Sequence, residues 1–399
     1  MSQISRRKAL KLLAGLGATG LVAACGDDSD PGSGEQVSDN PVRIGLIAPQ
    51  TGGYKPIGQE IINGFQLYLE QNNNLLGGHP VDLLVRDEGE TAASGKAALD
   101  SLLKENVVAL TGVVNSDVML GIKETVEEAR VPLIGSNASP STLQSVVYIW
   151  RTSYVNDEPG RALGPYVASR VPANGKVGMI APDYPGGADA IDGFRRSFGI
   201  SDRRIADPVI WTKFSTNPGR NTYANDIDRL LDRDPDAIYC FFAGASAVQF
   251  IKQLYAAGYR KQIYAPGFLT EGSVLNELKP QEAEGIMTAL TYSADLNNAA
   301  NRRFASAYRK KHGASPTTYA VASYDAAQVL HKGIRIAGPN PTPQKLNLAL
   351  GKIGQIDSPR GPWQFNQPRT PQQKWYLRRV QRDGQVLSNV LINELATLG

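Results

Sequence analysis

Short β-branched or aliphatic segments alternate with longer amphipathic segments over most of the chain from residue 42 onward. The apolar segments predict strands at residues 42–48, 81–86, 107–111, 131–134, 176–181, 208–211, 237–242, 262–265 and 285–290. The amphipathic segments predict helices at residues 58–71, 91–104, 117–129, 158–169, 188–198, 223–232, 246–257, 301–312 and 319–337. Such alternation is typical of parallel sheets that carry helices on both faces.

The predicted strands are too many for one sheet of ordinary size, and the series is interrupted at residues 148–156. We therefore predict an α/β fold of two doubly wound parallel-sheet lobes, joined by a hinge of several segments. Beyond residue 291, further helices and strands at 375–381 and 386–392 should return to complete both lobes. The predicted boundaries are 42–153 with about 293–370 for lobe one, and about 154–292 with 371–399 for lobe two.

The first 24 residues have the composition of an export signal. Arg6, Arg7 and Lys8 precede an apolar segment at 12–24, which is too short to span a bilayer permanently. The paired arginines resemble a twin-arginine signal. Residues 22–25, which read Val-Ala-Ala-Cys, resemble a bacterial lipobox, and this resemblance implies that Cys25 is lipidated after cleavage. An ordinary signal peptide with a chance cysteine is the alternative.

Residues 25–41 are rich in Gly, Ser and Asp, so we expect a flexible tether between the lipid anchor and the folded body. The protein should then work outside the cytoplasm, anchored on the outer face of the cytoplasmic membrane or in the periplasm. Acidic and basic residues balance at 38 each once the first 24 residues are removed. Since there is no basic stripe, nucleic acid is not an expected partner.

Catalytic and metal-binding patterns are missing from the sequence. The three histidines, His79, His312 and His331, lie in separate segments and suggest neither a metal site nor a catalytic triad. A Gly-x-Gly-x-x-Gly match at 15–20 falls inside the signal, and a P-loop-like segment at 89–97 has the wrong spacing. Cys240 lies in an apolar segment and is expected to be a small buried hydrophobe. We predict neither an enzyme nor a cofactor.

Several short motifs, weak alone, occur in a characteristic order. They are residues 44–52, 58–59, 63–64, 87–89, 112–116, 151–153, 183–187, 316–326 and 358–362. In this order they resemble the leucine/isoleucine/valine-binding branch of the type I periplasmic binding proteins that serve ABC importers. The resemblance covers nearly all of 42–392 and implies a monomer that closes over a small hydrophobic amino acid or aromatic carboxylate and delivers it to permease subunits in the membrane.

The resemblance also implies which residues bind the ligand. On lobe one, Ser116, Ala138 and Ser139 would hold its carboxylate, although Ser116 equally suits the N-cap of the next helix. The other implied positions are Tyr54 and Ile57 in the first loop, and Tyr154, Tyr184, Phe242, Gly244, Phe268 and Leu269 on the second lobe.

Two departures from leucine binders affect the expected ligand. Leucine binders present an acid where this chain has Gly267 and Phe268, and the nearest acid is Glu271. After Tyr184, the small residues at 185–187 leave open the space in which a second tyrosine commonly lies. Both departures favour an aromatic carboxylate. A ligand-sensing receptor of the same fold is the alternative function, although the lipobox and the lack of an output domain favour transport.

Overall fold

The computed structural model describes residues 38–220 and 222–399, which belong to one compact unit. The predicted signal, Cys25 and most of the predicted tether therefore lie outside the described residues. The strands are β1 Val42–Ala48, β2 Leu75–Leu76, β3 His79–Asp87, β4 Ala109–Gly112, β5 Leu133–Gly135, β6 Ile149–Arg151, β7 Val177–Pro182, β8 Ile205–Thr212, β9 Ala237–Cys240, β10 Gln262–Pro266, β11 Met287–Leu290, β12 Gln364–Phe365, β13 Pro371–Asp383 and β14 Val386–Leu398. The helices are α1 Lys55–Gln71, α2 Ala92–Leu103, α3 Ser116–Ala129, α4 Glu158–Arg170, α5 Pro185–Phe198, α6 Ala224–Leu231, α7 Gly244–Ala256, α8 Pro280–Ala283, α9 Ala299–His312, α10 Thr318–Ala337 and α11 Pro343–Leu350.

The first sheet has the order β2-β3-β1-β4-β5-β6, and its pairs are parallel except for the short β2–β3 pair. Helices α1 and α10 cover one face, where Ile44, Leu46 and Phe65 are buried in one cluster. Helices α2 and α3 cover the other face, where Leu99 and Leu110 pack together. A sheet buried on both faces explains why its strands are continuously apolar rather than alternating.

The second sheet has the order β12-β13-β11-β10-β9-β7-β8, with β14 paired to β13. Strands β7 to β11 pair in parallel, whereas β13 is antiparallel to its neighbours. One face packs on α4 and α5, as in the stacking of Phe194 on Tyr239 at 3.9 Å between ring centroids. The other face packs on α6 and α7 around Phe250. The predicted fold class, two lobes of doubly wound parallel sheet, is confirmed.

The chain passes between the two sheets in segments that are hydrogen-bonded to one another. Arg360 donates to the carbonyl oxygens of Thr152 and Ser153, and Gln373 Nε2 donates to the Ser153 oxygen at 2.6 Å. Arg360 is itself paired with the fully buried Asp325 at 3.1 Å. These contacts join the crossing segments into one hinge. The predicted lobe boundaries stay a prediction, although β12 already pairs within the second sheet.

The structure differs from the sequence prediction at the ends of several helices and strands. Helices α1 and α5 begin three residues before the predicted positions, since Pro56 and Pro185 occupy their first turns. A proline is tolerated there because the N–H that it lacks would have no partner within the helix. Helix α11 was not predicted, although Thr342 caps it and Pro343 opens it. Within the part of the chain that the structure describes, no helix is both long and apolar enough to cross a membrane.

Candidate functional site

The loops that follow the carboxyl ends of the parallel strands enclose one cavity between the two lobes. It has a volume of about 430 Å³, part of it open to solvent. Its lining residues are Tyr54, Ile57, Val114, Ser116, Asn137, Ala138, Tyr154, Asn156, Tyr184, Gly186, Phe241, Ala243, Phe268 and Tyr319. Open parallel sheets bind ligands at this edge, because their loops lead into helix N-termini there. The position of the cavity, between two lobes, suits a small organic molecule.

The amino-terminal end of α3 forms the lobe-one side of the cavity. Asn115 caps this helix by accepting a hydrogen bond from the Asp117 N–H at 2.9 Å. The alternative role of Ser116 as the N-cap is therefore wrong, and its hydroxyl is available to the cavity that it lines. The partial positive charge of a helix N-terminus favours an anion at this point.

Glu88 holds the loop before α3 in place. Its side chain is fully buried and accepts hydrogen bonds from the N–H groups of Val114 and Asn115 at 2.8 and 2.7 Å. Val113 adopts a left-handed backbone with φ of 68°, which is costly for a β-branched residue. Burial raises the pKa of Glu88 to about 8, partly offset by the two backbone N–H groups. This carboxyl group shapes the site without lining it.

Asn156 links the lobe-one loops to the second lobe. Its side-chain nitrogen donates to Ser116 Oγ at 3.1 Å and to the carboxylate of Asp189 at 3.3 Å. Its side-chain oxygen accepts from the Ser139 N–H at 3.2 Å. Because Asn156 also lines the cavity, a ligand at Ser116 lies next to a side chain that is bonded to both lobes.

Four tyrosines, Tyr54, Tyr154, Tyr184 and Tyr319, supply the polar part of the remaining wall. Burial is the main cause that raises the pKa of every one of them, so their hydroxyls stay protonated at any physiological pH. Tyr154 donates to Asn137 Oδ1 at 3.3 Å, and a hydrogen bond with Tyr184 partly offsets the raised pKa of Tyr54. The wall thus offers neutral hydroxyl groups rather than charges.

Aromatic rings surround these hydroxyls. The ring of Phe268 lies 5.2 Å from that of Tyr154, 6.0 Å from that of Phe241 and 6.2 Å from that of Tyr319, measured between centroids. Tyr184 stacks on Phe214 at 4.2 Å. Rings at these distances make an apolar wall that can pack against another ring through its face or edge.

None of the lining residues carries a charged side chain. Glu271, the acid closest in sequence to the loop of Phe268, instead forms a buried ion pair with Arg378 at 2.8 Å. Its other oxygen accepts from the Thr318 N–H at 2.8 Å. Since both oxygens have partners in the protein, Glu271 is not available to pair with a ligand ammonium group.

The lobes are in contact on both sides of the cavity. Asp189 on α5 accepts hydrogen bonds from the N–H and the hydroxyl of Ser141 at 3.0 and 2.7 Å. Across from it, the hydroxyl of Thr216 donates to Glu90. Gly53 lies very close to Thr216, since a Cβ atom built on Gly53 would be 1.9 Å from the carbonyl oxygen of Thr216. This arrangement is the closed form of a two-lobed binding protein.

Seven residues predicted for the site line the cavity, namely Tyr54, Ile57, Ser116, Ala138, Tyr154, Tyr184 and Phe268. Phe242 does not, because its ring stacks on Phe250 in the lobe-two core at 4.2 Å. Successive residues at a strand end point to opposite faces, so Phe241 faces the cavity instead. Leu269 is likewise fully buried in that core.

The other two predicted residues lie beside the cavity without lining it. Ser139 is fully buried, and its N–H is bonded to Asn156. Gly244 has a positive φ of 54°, and a Cβ there would lie 3.3 Å from the ring of Tyr54. It therefore supports Tyr54 from the opposite lobe.

The prediction missed Val114, Asn137, Asn156, Gly186, Phe241, Ala243 and Tyr319. Most of them are neighbours of predicted residues in the same loops. To identify them from the sequence, one would have to know where each strand ends and to which face of the sheet each side chain points. Tyr319 lies in the first turn of α10, far along the chain. In the sequence, its position within the motif at residues 316–326 was the only sign that Tyr319 belongs to the site. The space predicted after Tyr184 is also wrong, because the Tyr184 ring itself fills it above Gly186.

Comparison with known proteins agrees with this geometry. A model of the family described as periplasmic binding protein matches residues 41–385. The Leu/Ile/Val-binding protein homolog 6 of Brucella melitensis biotype 1 is 26% identical over 349 residues, which cover 85% of this chain and 87% of that protein.

Two solved structures resemble the chain over its folded body. A solute-binding protein of an ABC transporter from R. palustris, in complex with benzoate, is 27% identical with a TM-score of 0.81, covering 90% of this chain and 97% of the other. One from Rhodopseudomonas palustris BisB5, in complex with 3,4-dihydroxybenzoic acid, is 25% identical with a TM-score of 0.82, covering 90% and 98%. The chain belongs to the periplasmic binding protein family, and it is a solute-binding protein of the ABC transporter type, not an enzyme.

Proposed function

We propose that this solute-binding protein captures an aromatic or otherwise bulky apolar carboxylate that has no ammonium group, and delivers it to the permease of an ABC importer. The observation that carries the proposal is the uncharged cavity, with the α3 N-terminus and Ser116 on one side and tyrosine and phenylalanine rings around the rest. A carboxylate is favoured at the helix end, and an apolar ring is favoured beside Tyr154 and Phe268.

An amino acid would be bound less well in such a cavity. Its ammonium group would lose its hydration without gaining a charged partner, because Glu271 is already paired with Arg378. Neutral tyrosine hydroxyls can accept a hydrogen bond from an ammonium group but do not neutralise it. The two neighbours described above bind benzoate and 3,4-dihydroxybenzoic acid, which carry no ammonium group. Leucine-type amino acids are the competing ligand class.

The proposal includes the cellular context predicted from the first 41 residues. A twin-arginine-like signal exports the protein, lipid on Cys25 anchors it, and residues 26–41 give the lobes freedom to reach the permease. Replacing Cys25 with serine is then expected to release the protein from the membrane fraction. A wild-type protein that carries no lipid label and is freely soluble after export contradicts the anchor.

The ligand class is tested by removing and then returning the ligand. The mature domain is purified gently, any copurifying small molecule is identified by mass spectrometry, and the protein is unfolded, dialysed and refolded. Isothermal titration of the refolded protein with benzoate, 4-hydroxybenzoate, phenylalanine and leucine follows. Binding of the benzoates alone supports the proposal, whereas binding of the amino acids alone refutes it.

A further inference from the structure

The ring of Tyr184 lies folded back over Gly186, two residues further along the chain. A Cβ atom built on Gly186 would be 2.6 Å from the hydroxyl oxygen of Tyr184 and 2.8 Å from its Cζ atom. A Cβ atom does not approach a non-bonded atom that closely, so any side chain at position 186 forces the Tyr184 ring to move. Both residues line the cavity, and such a movement therefore reshapes its wall.

The restriction at position 186 comes from the tyrosine side chain and not from the backbone. Gly186 lies in the first turn of α5 and does not have a positive φ, so an alanine is compatible with its conformation. The adjacent Gly187 differs, because a Cβ there would be 2.2 Å from the carbonyl oxygen of Pro182. Gly187 is thus required for the packing of α5 on β7, whereas Gly186 is required only for the placement of one ring.

In its observed position, Tyr184 connects three parts of the site. It stacks on Phe214 with 4.2 Å between centroids and an angle of 21° between planes, and it lies 5.9 Å from Phe241. Tyr54 of the opposite lobe lines the same cavity, and its interaction with the Tyr184 hydroxyl lowers its own raised pKa. The folded-back ring is therefore part of the cavity wall and faces Tyr54 of the opposite lobe across the cavity.

From this geometry we infer that Gly186 is a specificity-determining residue, which acts by letting Tyr184 lie as a wall of the cavity that favours flat aromatic carboxylates over puckered or branched ones. The inference rests on the proposed ligand class and extends it. Gly186 has no side chain with which to touch a ligand, so its effect passes through Tyr184. The Tyr184 ring thus occupies the space over Gly186 in which a second tyrosine commonly lies in leucine binders.

The test compares Gly186→Ala with Gly351→Ala, the same substitution at the end of α11. Around Gly351 a Cβ would have its nearest contacts at 3.7 Å and 3.9 Å, which are ordinary packing distances. Affinities for benzoate and for cyclohexanecarboxylate, which has similar size and charge but a puckered ring, are measured by titration. We expect wild type and Gly351→Ala to prefer benzoate by about tenfold or more, and Gly186→Ala to lose most of that preference. Melting temperatures without ligand check that both variants fold.

A double-mutant cycle then separates action through Tyr184 from a direct effect. If Gly186 works by placing this ring, Gly186→Ala changes nothing further in a Tyr184→Ala background. An unchanged benzoate preference in Gly186→Ala overturns the inference, and so does a second, independent loss in the double variant. Should wild type bind leucine and no aromatic acid, the proposed function fails. The cycle, repeated with leucine, then shows separately whether position 186 acts through Tyr184.

Discussion

Closure of the lobes should depend on one carboxylate, that of Asp189. In the closed form this carboxylate accepts two hydrogen bonds from Ser141 on the opposite lobe, at 3.0 and 2.7 Å, and one from Asn156 at 3.3 Å. The Ser141 bonds cannot form when the lobes are apart. Asp189→Ala removes them without replacing any residue that lines the cavity, and Asn156 keeps its bonds to Ser116 and Ser139.

The size of the effect follows from the nature of these bonds. A hydrogen bond to a charged group contributes about 1.5–3 kcal/mol. Because Asp189 is only partly buried, water competes for it, and we assign that range to the whole group rather than to each bond. The closed form would then become about ten- to a hundredfold less populated relative to the open form. If the open form predominates without ligand and the ligand binds tightly only to the closed form, the apparent dissociation constant rises by the same factor.

The assay pairs titration calorimetry with small-angle X-ray scattering. Asp189→Ala should bind its ligand ten- to a hundredfold more weakly, by the range above, and should require more ligand to reach the compact scattering profile. Asp192→Ala is the matched control, since Asp192 lies on the same helix in an exposed ion pair with Arg196, and such pairs contribute little. Equal affinities of the two variants would refute the closure role of Asp189.

Three further predictions concern the site and its support. Ser116→Ala should weaken carboxylate binding about ten- to a hundredfold without lowering the melting temperature, and an unchanged affinity would limit Ser116 to its contact with Asn156. Glu271→Gln leaves Arg378 buried without its partner and should cost roughly 3–5 kcal/mol of folding stability in a denaturant titration; a wild-type midpoint would contradict this. Burial raises the pKa of Glu158 to about 7, so the native state holds a proton that the unfolded state releases at lower pH. Glu158 should therefore contribute on the order of 3 kcal/mol to a fall in stability as the pH rises from about 4.5 to about 7. Glu88, whose pKa is also raised, adds to the same fall, so Glu158→Gln should make the slope shallower in melts across this range without removing it.

Alternating apolar and amphipathic segments were enough to predict the two-sheet fold. Strand β1 has the predicted bounds, and β9 and β10 begin at the predicted residues, because buried parallel strands are apolar on both faces. The predicted ends of strands were less accurate. Strand β9 ends at Cys240 instead of residue 242, and the structure has Phe241 in the cavity where the resemblance implied Phe242.

Contacts that join distant parts of the chain could not be read from local pattern. The ion pair of Glu271 with Arg378 joins residues that are over a hundred positions apart in the chain. Because of this pair, Glu271 does not offer a free carboxylate to the cavity. The bonds of Asn156 to Ser116 and Asp189 are of the same kind. A sequence shows that such polar residues exist, but their partners depend on how the lobes close.

The central claim is that the cavity accepts a carboxylate and rejects an ammonium group, and matched ligand pairs test it most directly. Thermal shifts of the refolded protein would be measured with 3-phenylpropionate against phenylalanine and with 4-methylpentanoate against leucine, since the members of each pair differ only in the amino group. A ligand at about a hundred times its dissociation constant stabilises the fold by about 2.7 kcal/mol, enough to raise the melting temperature by several degrees. We expect such shifts with the acids that lack nitrogen and much smaller ones with the amino acids. Strong shifts with phenylalanine or leucine, and none with their deaminated partners, would contradict it.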